Sequence, residues 1–252
     1  MPTAPDHNTA ILIRHAQSEW NAQGRFTGWA DPGLTRAGIR EAERAGRVLA
    51  ERGTRFDAIW TSCLQRASET ARIVAHESDN AGIPIQHDWR LNERHYGALQ
   101  GKNKEAMARS VGADQVWRWR RAYEERPPVL AHGDQRHPAN DPGYDFLPAD
   151  ALPGSENLAD TRARVSAFWN EHIVPGLKRG ERPLIASHGN TLRALIMALT
   201  DMPVAEVERF EIPTGVPIVV AFDGQARAIG WHYLEVPGHP SADSAVAQRG
   251  AA

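Results

Sequence analysis

The sequence has 252 residues, of which 41% are apolar and 24% charged, and its formal net charge is −2. This length is enough for one large α/β domain with a sizeable core, and the charge gives no electrostatic reason to bind nucleic acid or an anionic membrane. The single cysteine, Cys63, excludes an intrachain disulfide, no apolar run reaches the ~18 residues of a membrane span, and the polar N-terminus has no signal-peptide core, so we expect a soluble cytoplasmic protein.

The first third of the chain predicts strands and helices in alternation. Thr35 is a suitable N-cap for a helix whose apolar side carries Ile39, and Pro84 restricts its strand to the edge of a sheet because it cannot donate to a ladder. In chain order the predicted elements are strand 11–13, helix 36–51, strand 58–61, helix 65–77 and a short edge strand 83–85.

Beyond residue 154 the alternation resumes, with helix 158–177, strand 184–187, helix 192–199 and strands 218–222 and 229–233. This pattern predicts one α/β domain over residues 1–252, with a mostly parallel central sheet and helices on both faces. Residues 100–154 break the pattern, and six prolines lie between 127 and 153, so we expect an irregular inserted lid segment there. The Gly-, Ala- and Ser-rich tail, residues 236–252, is predicted to be mobile.

Two predicted strands end in a histidine. LIRHAQS places His15 after the first strand, and LIASHGN places His188 after a later one. Ligands of open α/β sheets bind outside the carboxyl ends of the strands, so the two imidazoles could share one pocket beside helix N-termini. A hydrogen-bonded structural role for each histidine stays open. Neither histidine has a second ligand at the usual spacing, which argues against a metal site.

Cations accompany these histidines. Arg14 precedes His15, and Arg66 follows the strand at 58–61 by a few residues. Residues 89–126 contain nine Lys or Arg against five Asp or Glu, on a chain whose total charge is −2. Arginine forks bind phosphate oxygens, so a small polyanionic ligand is one interpretation, and a solvated charged loop is the other.

Several motifs together resemble a known family. RHAQS, SHG and RLNERHYG resemble the histidine phosphatase superfamily, and more closely its cofactor-dependent phosphoglycerate mutases. The supporting stretches are RFTGW at 25–29, LNERHYGALQGKNK at 91–104, WRRAY at 119–123, SHGNTLRALI at 187–196 and GVP at 215–217. The combination of LNERHYG with WRR is specific, because the shorter phosphatases of the superfamily lack it.

The resemblance implies roles for individual residues. His15 matches the nucleophile that becomes phosphorylated, Glu93 the acid/base, and Arg14, Arg66 and His188 the phosphate clamp. The residues that match substrate-binding positions are Ser18, Asn21, Thr27, Gly28, Arg94, Tyr96, Lys104, Arg120, Arg121, Gly189 and Asn190.

The implied reaction is the glycolytic and gluconeogenic interconversion of 3-phosphoglycerate and 2-phosphoglycerate. It proceeds through phosphohistidine, is primed by 2,3-bisphosphoglycerate and needs no metal. Members of the family are often homodimers or homotetramers, and the partners implied are small phosphoglycerates.

The sequence also departs from the family pattern. Ala16 and Gln17 replace the usual Gly-Glu, Thr214 replaces a common asparagine, and the tail lacks the usual lysines. A histidine phosphatase acting on small phosphorylated metabolites is therefore the nearest alternative. A catalytically impaired phospholigand-binding protein is an alternative of another class, although it would have no use for Glu93.

Overall fold

The computed structural model describes residues 8–238. Its centre is a six-stranded sheet in the order β3-β2-β4-β1-β5-β6. β1 pairs in parallel with β4, as β2 does with β4 and β3, whereas β5 runs antiparallel to β1 and β6 antiparallel to β5. The mostly parallel sheet is confirmed. The strands are β1 Asn8–Arg14, β2 Ala58–Thr61, β3 Ile85–His87, β4 Pro183–Ser187, β5 Pro217–Phe222 and β6 Ala228–Tyr233.

Helices cover both faces of this sheet. α2 and α3 pack together on one face, and α6 and α8 pack together on the other. The helices are α1 Glu19–Ala22, α2 Arg36–Glu51, α3 Gln65–Glu77, α4 Lys104–Val111, α5 Ala113–Arg121, α6 Leu158–Phe168, α7 Val174–Lys178, α8 Gly189–Thr200 and α9 Val204–Val207. Among residues 8–238, no helix has both the length and the apolar character to cross a membrane.

β1 is buried on both faces, which explains why its sequence is a continuous aliphatic run. Ala10 and Leu12 belong to the core under α6 and α8, while Ile11 and Ile13 belong to the core under α2 and α3. Successive side chains of a strand point to opposite faces, so a central parallel strand needs apolar residues at every position. Each fully buried aliphatic side chain stabilises the fold by about 1.5–3 kcal/mol.

The predicted limits of α2 agree with the structure at both ends, but one of its core assignments was wrong. The Thr35 hydroxyl accepts a hydrogen bond from the Gly38 N–H at 3.0 Å and caps the helix as predicted. Ile39, however, is 37% exposed. The buried side of the helix passes through Gly38, Ala42 and Leu49, and Ile39 lies about 100° around the axis from Gly38.

Two further predictions needed correction at proline residues. The edge strand begins at Ile85, after Pro84, because pairing starts only where the backbone can donate. The single helix predicted for 158–177 is interrupted by a π-helical turn, Trp169–Ile173. Pro175 follows that turn and has no N–H to continue the regular pattern of hydrogen bonds.

The insertion is more regular than the sequence suggested. α4 and α5 occupy much of its first half, so an irregular segment over all of 100–154 was wrong. The proline-rich part, 127–153, contains only 3₁₀ turns, as its composition requires. Of the tail predicted to be mobile, residues 239–252 lie outside the described residues, and Val236 is buried in the core under α2 and α3. The single domain over 1–252 stays a prediction.

The strand register sets the level of the two histidines. Arg14 of β1 lies opposite Ser187 of β4, and the His15 N–H donates to the Ser187 carbonyl at 2.8 Å. Thr61, the last residue of β2, lies opposite Ala186. The carboxyl ends of β1, β4 and β2 therefore meet at one edge of the sheet.

Gly38→Ala should destabilise the protein even though it improves helix propensity. A Cβ on Gly38 would lie 2.1 Å from the Gln17 carbonyl oxygen, in the loop that follows His15. Alanine gains about 1 kcal/mol of helix propensity, but overpacking against backbone costs about 1–3 kcal/mol. We expect a lower free energy of unfolding in urea. Gly82→Ala is the matched control, because nothing lies within 4 Å of its Cβ position. A Gly38→Ala protein as stable as wild type would contradict this packing.

Candidate active site

A cleft opens at the edge of the sheet where β1, β2 and β4 end. It draws residues from the strand ends, from the segment before α4, from α5 and from the loop before β5. Its lining residues are Arg14, His15, Asn21, Thr27, Gly28, Arg66, Glu93, Tyr96, Lys104, Arg120, Arg121, Gly189, Asn190, Arg193, Glu211 and Ile212. All of them except Arg193, Glu211 and Ile212 were predicted from the sequence.

The His15 ring is held in one tautomer. Its Nδ1 lies 2.8 Å from the Ala16 carbonyl oxygen, which can only accept, so Nδ1 carries the proton and donates. Nε2 therefore keeps its lone pair. Burial, together with the charges of Arg66 and Arg14, lowers the pKa of His15 well below 6.5. The result is a neutral imidazole with a fixed nucleophilic nitrogen.

Two arginines flank His15, and backbone carbonyls hold both. The Arg66 guanidinium donates to the carbonyls of Ala30 and Gly28, each at 2.8 Å, and the side chain is 1% exposed. Burial lowers the pKa of Arg66 to about 10. Arg14 donates to the Ile212 carbonyl at 2.7 Å. The Nε atoms of both arginines are buried and have no hydrogen-bond partner among the described residues. Such donors favour an anion.

His188 lies directly beside His15. The two ring centroids are 5.0 Å apart, and His188 Nε2 is 2.8 Å from the Ser62 hydroxyl. That hydroxyl already accepts from the Leu64 N–H at 3.2 Å, so its own proton is available for Nε2. This arrangement makes Nδ1 an N–H donor, and within residues 8–238 Nδ1 has no partner. Burial, then Arg66 and His15, lower the pKa of His188 well below 6.5.

The Glu93 carboxylate is fixed at the opposite side of the cleft. Its Oε1 accepts from the backbone N–H groups of Arg94 at 2.8 Å and of Asn190 at 3.2 Å. Its backbone carbonyl accepts from the Trp29 indole at 2.6 Å and from Arg164 at 3.0 Å. A carboxylate oriented in this way is suited to move a proton in a set direction.

A buried network supports the substrate side of the cleft. Arg193 donates to the Asn190 side-chain oxygen at 2.9 Å, and the Asn190 amide donates to the Tyr96 hydroxyl at 3.2 Å. Burial lowers the pKa of Arg193 to about 9. Arg193 was not predicted from the sequence, although the three-residue spacing from Asn190 on a helix would have placed both on one face.

The basic residues of the insertion reach the cleft from two helices. Lys104 begins α4, and Arg120 and Arg121 end α5. Cations are favoured at a helix C-terminus, which stabilises the two arginines there. Burial lowers the pKa of Lys104. Of the nine cations in residues 89–126, these three therefore line the cleft.

Three predicted site residues do not line the cleft surface. Ser18 caps α1, where its hydroxyl accepts from the Asn21 N–H at 3.3 Å. Arg94 is buried, donates to the Trp119 carbonyl at 2.6 Å and stacks 4.8 Å from the Tyr96 ring centroid. The third, His188, lies behind His15 and is fully buried. The roles of these residues stay predictions.

Gly28 lines the cleft in a conformation that favours glycine. Its φ is +59°, and a Cβ there would lie 2.7 Å from the Gln100 side-chain oxygen and 3.0 Å from the Tyr96 backbone nitrogen. Close approach of backbone to the cleft is therefore built into this turn.

Over residues 8–238, no group of three or more His, Cys, Asp or Glu side chains is placed to hold a metal ion.

Comparison with known proteins shows the family to which the chain is similar. The histidine phosphatase superfamily (branch 1) matches over residues 10–140 and 131–233. A protein of Nitratidesulfovibrio vulgaris (strain DSM 19637 / Miyazaki F), named 2,3-bisphosphoglycerate-dependent phosphoglycerate mutase, is 46% identical over 246 residues, which cover 97% of this chain and 99% of the relative.

Two solved structures share the fold at lower identity. A mycobacterial glucosyl-3-phosphoglycerate phosphatase in complex with VO3 has a TM-score of 0.64 and 22% identity, over 90% of this chain and 97% of that one. The alpha-ribazole phosphatase of Shigella flexneri has a TM-score of 0.61 and 22% identity, over 86% and 92% of the two chains.

The tautomer and burial of His15 predict an unusual titration. We expect the ¹⁵N ring signals of His15 to keep their neutral positions as the pH falls through 6.5, where an unperturbed imidazole titrates. Heteronuclear NMR measures both nitrogens directly, and free histidine in the same buffer provides the reference. A midpoint near 6.5 for His15 would refute the neutral nucleophile.

The same shifts affect stability. His15 and His188 are neutral in the fold but gain protons in the unfolded chain, so their contribution is complete above about pH 6.5 and is lost as the pH falls below that value.

Proposed function

The chain belongs to the histidine phosphatase superfamily and, within it, to the 2,3-bisphosphoglycerate-dependent phosphoglycerate mutases, and on this premise we propose that it interconverts 3-phosphoglycerate and 2-phosphoglycerate through a phosphohistidine at His15. One observation carries the proposal. The His15 ring, with its unprotonated Nε2, shares a cleft with a fixed carboxylate and with two arginines whose buried Nε donors have no partner among residues 8–238.

His15 is the nucleophile in this proposal. Its Nε2 lone pair forms a bond to phosphorus while the bond from phosphorus to the substrate oxygen breaks. Phosphoryl transfer depends on in-line positioning and on donors around the equatorial oxygens. Arg14, Arg66 and His188 supply such donors, because each has a buried N–H or nitrogen without a partner in the described chain.

Glu93 moves the proton that this transfer requires. The substrate hydroxyl must lose its proton as it takes the phosphoryl group from His15, and must regain one when it gives the group back. Glu93 has one carboxylate oxygen occupied by backbone N–H donors, which leaves the other for the substrate. General acid–base catalysis of this kind contributes about 10²–10⁴-fold.

The primer, 2,3-bisphosphoglycerate, supplies the phosphoryl group that first charges His15. The residues present fit such a polyanion. Arg14 and Arg66 would hold the phosphate nearest His15, while Lys104, Arg120 and Arg121 would hold the carboxylate and the distal phosphate. These are side chains of the cleft, and the proposed chemistry uses no metal.

The mutase is preferred to a phosphatase because of the insertion. A phosphatase must admit water to the phosphohistidine, whereas a mutase must retain a bisphosphorylated intermediate and exclude water. α4 and α5 bring three cations over the cleft, which suits retention. The two solved structures of the same fold are named phosphatases, but at 22% identity they show the fold alone, and a phosphatase stays the nearest alternative.

We further propose a cytoplasmic role in glycolysis and gluconeogenesis, with small phosphoglycerates as partners and no nucleic acid or membrane. A homodimer or homotetramer is the expected assembly. A catalytically impaired binding protein is the least favoured function, because the geometry of Glu93 and His15 serves turnover rather than binding.

Glu93→Gln should slow proton transfer while leaving the phosphate clamp intact. The clamp is unchanged, so 2,3-bisphosphoglycerate should still bind, and acid-labile phosphate should still accumulate on the protein during a long incubation. The rate of 2-phosphoglycerate formation should fall by about 10²–10⁴-fold, because glutamine can neither accept the proton of the substrate hydroxyl nor return it. Mass spectrometry measures the phosphoenzyme and a coupled assay the turnover, with His15→Ala as the unlabelled control. Turnover at the wild-type rate, or a protein that never becomes labelled, would assign Glu93 another role.

Arg120→Ala should shift the ratio of isomerisation to phosphate release toward hydrolysis. Loss of this cation weakens the hold on the intermediate and admits water to the phosphohistidine. Arg118→Ala is the matched control, since Arg118 is on the same helix but exposed and outside the cleft. Both products are followed from 3-phosphoglycerate, with and without primer. If the wild-type protein releases phosphate faster than it makes 2-phosphoglycerate, the phosphatase function holds instead.

A further inference from the structure

An anion-binding cleft has little reason to contain a carboxylate that takes no part in proton transfer. Two glutamates line this cleft, Glu93 and Glu211. Glu93 is held by backbone N–H groups and has a role in the proposed reaction. Glu211 lies in the loop before β5, contributes negative charge among the cations, and has no role in the mechanism proposed above.

Glu211 pairs with a cation of the insertion. The Arg121 guanidinium donates through Nη2 to Glu211 Oε1 and through Nη1 to the Phe210 carbonyl, the latter at 3.3 Å. The Arg121 side chain is 14% exposed and the Glu211 side chain 68% exposed. The carboxylate therefore approaches Arg121 from the solvent side, the side from which a ligand anion would also approach.

The backbone at Glu211 is held by hydrogen bonds that do not involve its side chain. The Tyr233 hydroxyl donates to the Glu211 carbonyl at 2.7 Å, and Arg14 donates to the next carbonyl, that of Ile212, at 2.7 Å. Consecutive carbonyls at 210, 211 and 212 thus bind Arg121, Tyr233 and Arg14. Displacing the carboxylate would leave this backbone support in place.

From this arrangement we propose that Glu211 is a specificity-determining residue that occupies the anion position on Arg121 until a ligand displaces it, and that its charge limits the preference of the cleft for doubly phosphorylated ligands. This inference rests on the proposed function. It assigns Glu211 a role in binding and release rather than in the chemical step.

Two observations support the role. The Glu211 carboxylate is largely exposed and its attraction to Arg121 is screened by water, so a ligand phosphate or carboxylate can replace it at little cost. The charge of Glu211 still acts on the whole cleft, since it reaches both Arg14 and Arg193 and offsets the effect of burial on the pKa of each. A bisphosphorylated ligand has one more phosphate than a monophosphorylated one, about −1.5 to −2 charges at pH 7. Glu211 therefore repels the bisphosphorylated ligand more strongly.

For turnover, Glu211 balances retention of the intermediate against release of the product. A cleft of cations alone would hold the bisphosphorylated intermediate tightly and release the product slowly. Glu211 weakens that hold without removing a cation, so the lid can retain the intermediate for a turnover and still exchange ligands.

The test compares equilibrium affinities rather than rates. We would titrate 2,3-bisphosphoglycerate and 3-phosphoglycerate calorimetrically into the His15→Ala protein, which cannot be phosphorylated, with and without Glu211→Gln. The removal of one carboxylate should raise the affinity for both ligands. It should also raise the ratio of the two affinities, in favour of the bisphosphorylated ligand, by about three- to tenfold. Glu211→Asp keeps the charge and should keep the wild-type ratio.

Glu235→Gln is the control for net charge, because Glu235 is exposed and does not line the cleft. It should leave the ratio within about twofold of wild type, as a remote and screened charge does. If both ligands bind and Glu211→Gln does not change the ratio of their affinities, the role of Glu211 is refuted and the proposed function is not. If neither ligand binds to the His15→Ala protein that keeps Glu211, the proposed function is refuted, and this role with it.

Discussion

The parallel pairing of β1 with β4 is the constraint on which the cleft depends. Because Arg14 lies opposite Ser187, the residues that follow each strand emerge at one level, and the imidazoles of His15 and His188 come within ring contact. A slip of one residue would turn every side chain of β1 to the other face and bury Arg14 in the core. The two-sided aliphatic burial of β1 therefore fixes the chemistry as well as the sheet.

Burial of cations beside a neutral histidine has an energetic cost that the fold offsets with backbone carbonyls. Arg66 is almost fully inaccessible, and its two terminal nitrogens bind the carbonyls of Ala30 and Gly28. Its Nε has no partner among residues 8–238, so the cleft keeps an unmet preference for negative charge. The same positive surroundings keep His15 unprotonated, since a charged imidazole would be both desolvated and repelled. Anion affinity and nucleophilicity thus have a common electrostatic cause.

The outer half of the cleft is organised differently. Lys104, Arg120 and Arg121 stand on two helices of the insertion rather than on strand ends, and they are partly exposed. Their pairing is correspondingly weaker and more easily exchanged, as the contact between Arg121 and Glu211 illustrates. The reaction requires a rigid inner site that positions phosphorus and an adaptable outer site that controls how long ligands stay bound. Its intermediate must be held during turnover, and the product must still be released.

The sequence by itself determined the elements whose signals are local. The apolar run of β1, the Thr35 cap and the alternation of strand and helix predicted the sheet and its two helical layers, and the motif at 91–96 with the histidines at the strand ends predicted which residues gather at one edge. Features that depend on distant partners came only from the tertiary structure. The exposed position of Ile39 follows from which side of α2 meets the sheet. The proton on His15 Nδ1 follows from the position of the Ala16 carbonyl, and the pairing of Arg121 with Glu211 joins residues 90 positions apart. Periodicity and capping act within a few residues along the chain, whereas burial, tautomers and long-range ion pairs are set by neighbours that folding alone brings together.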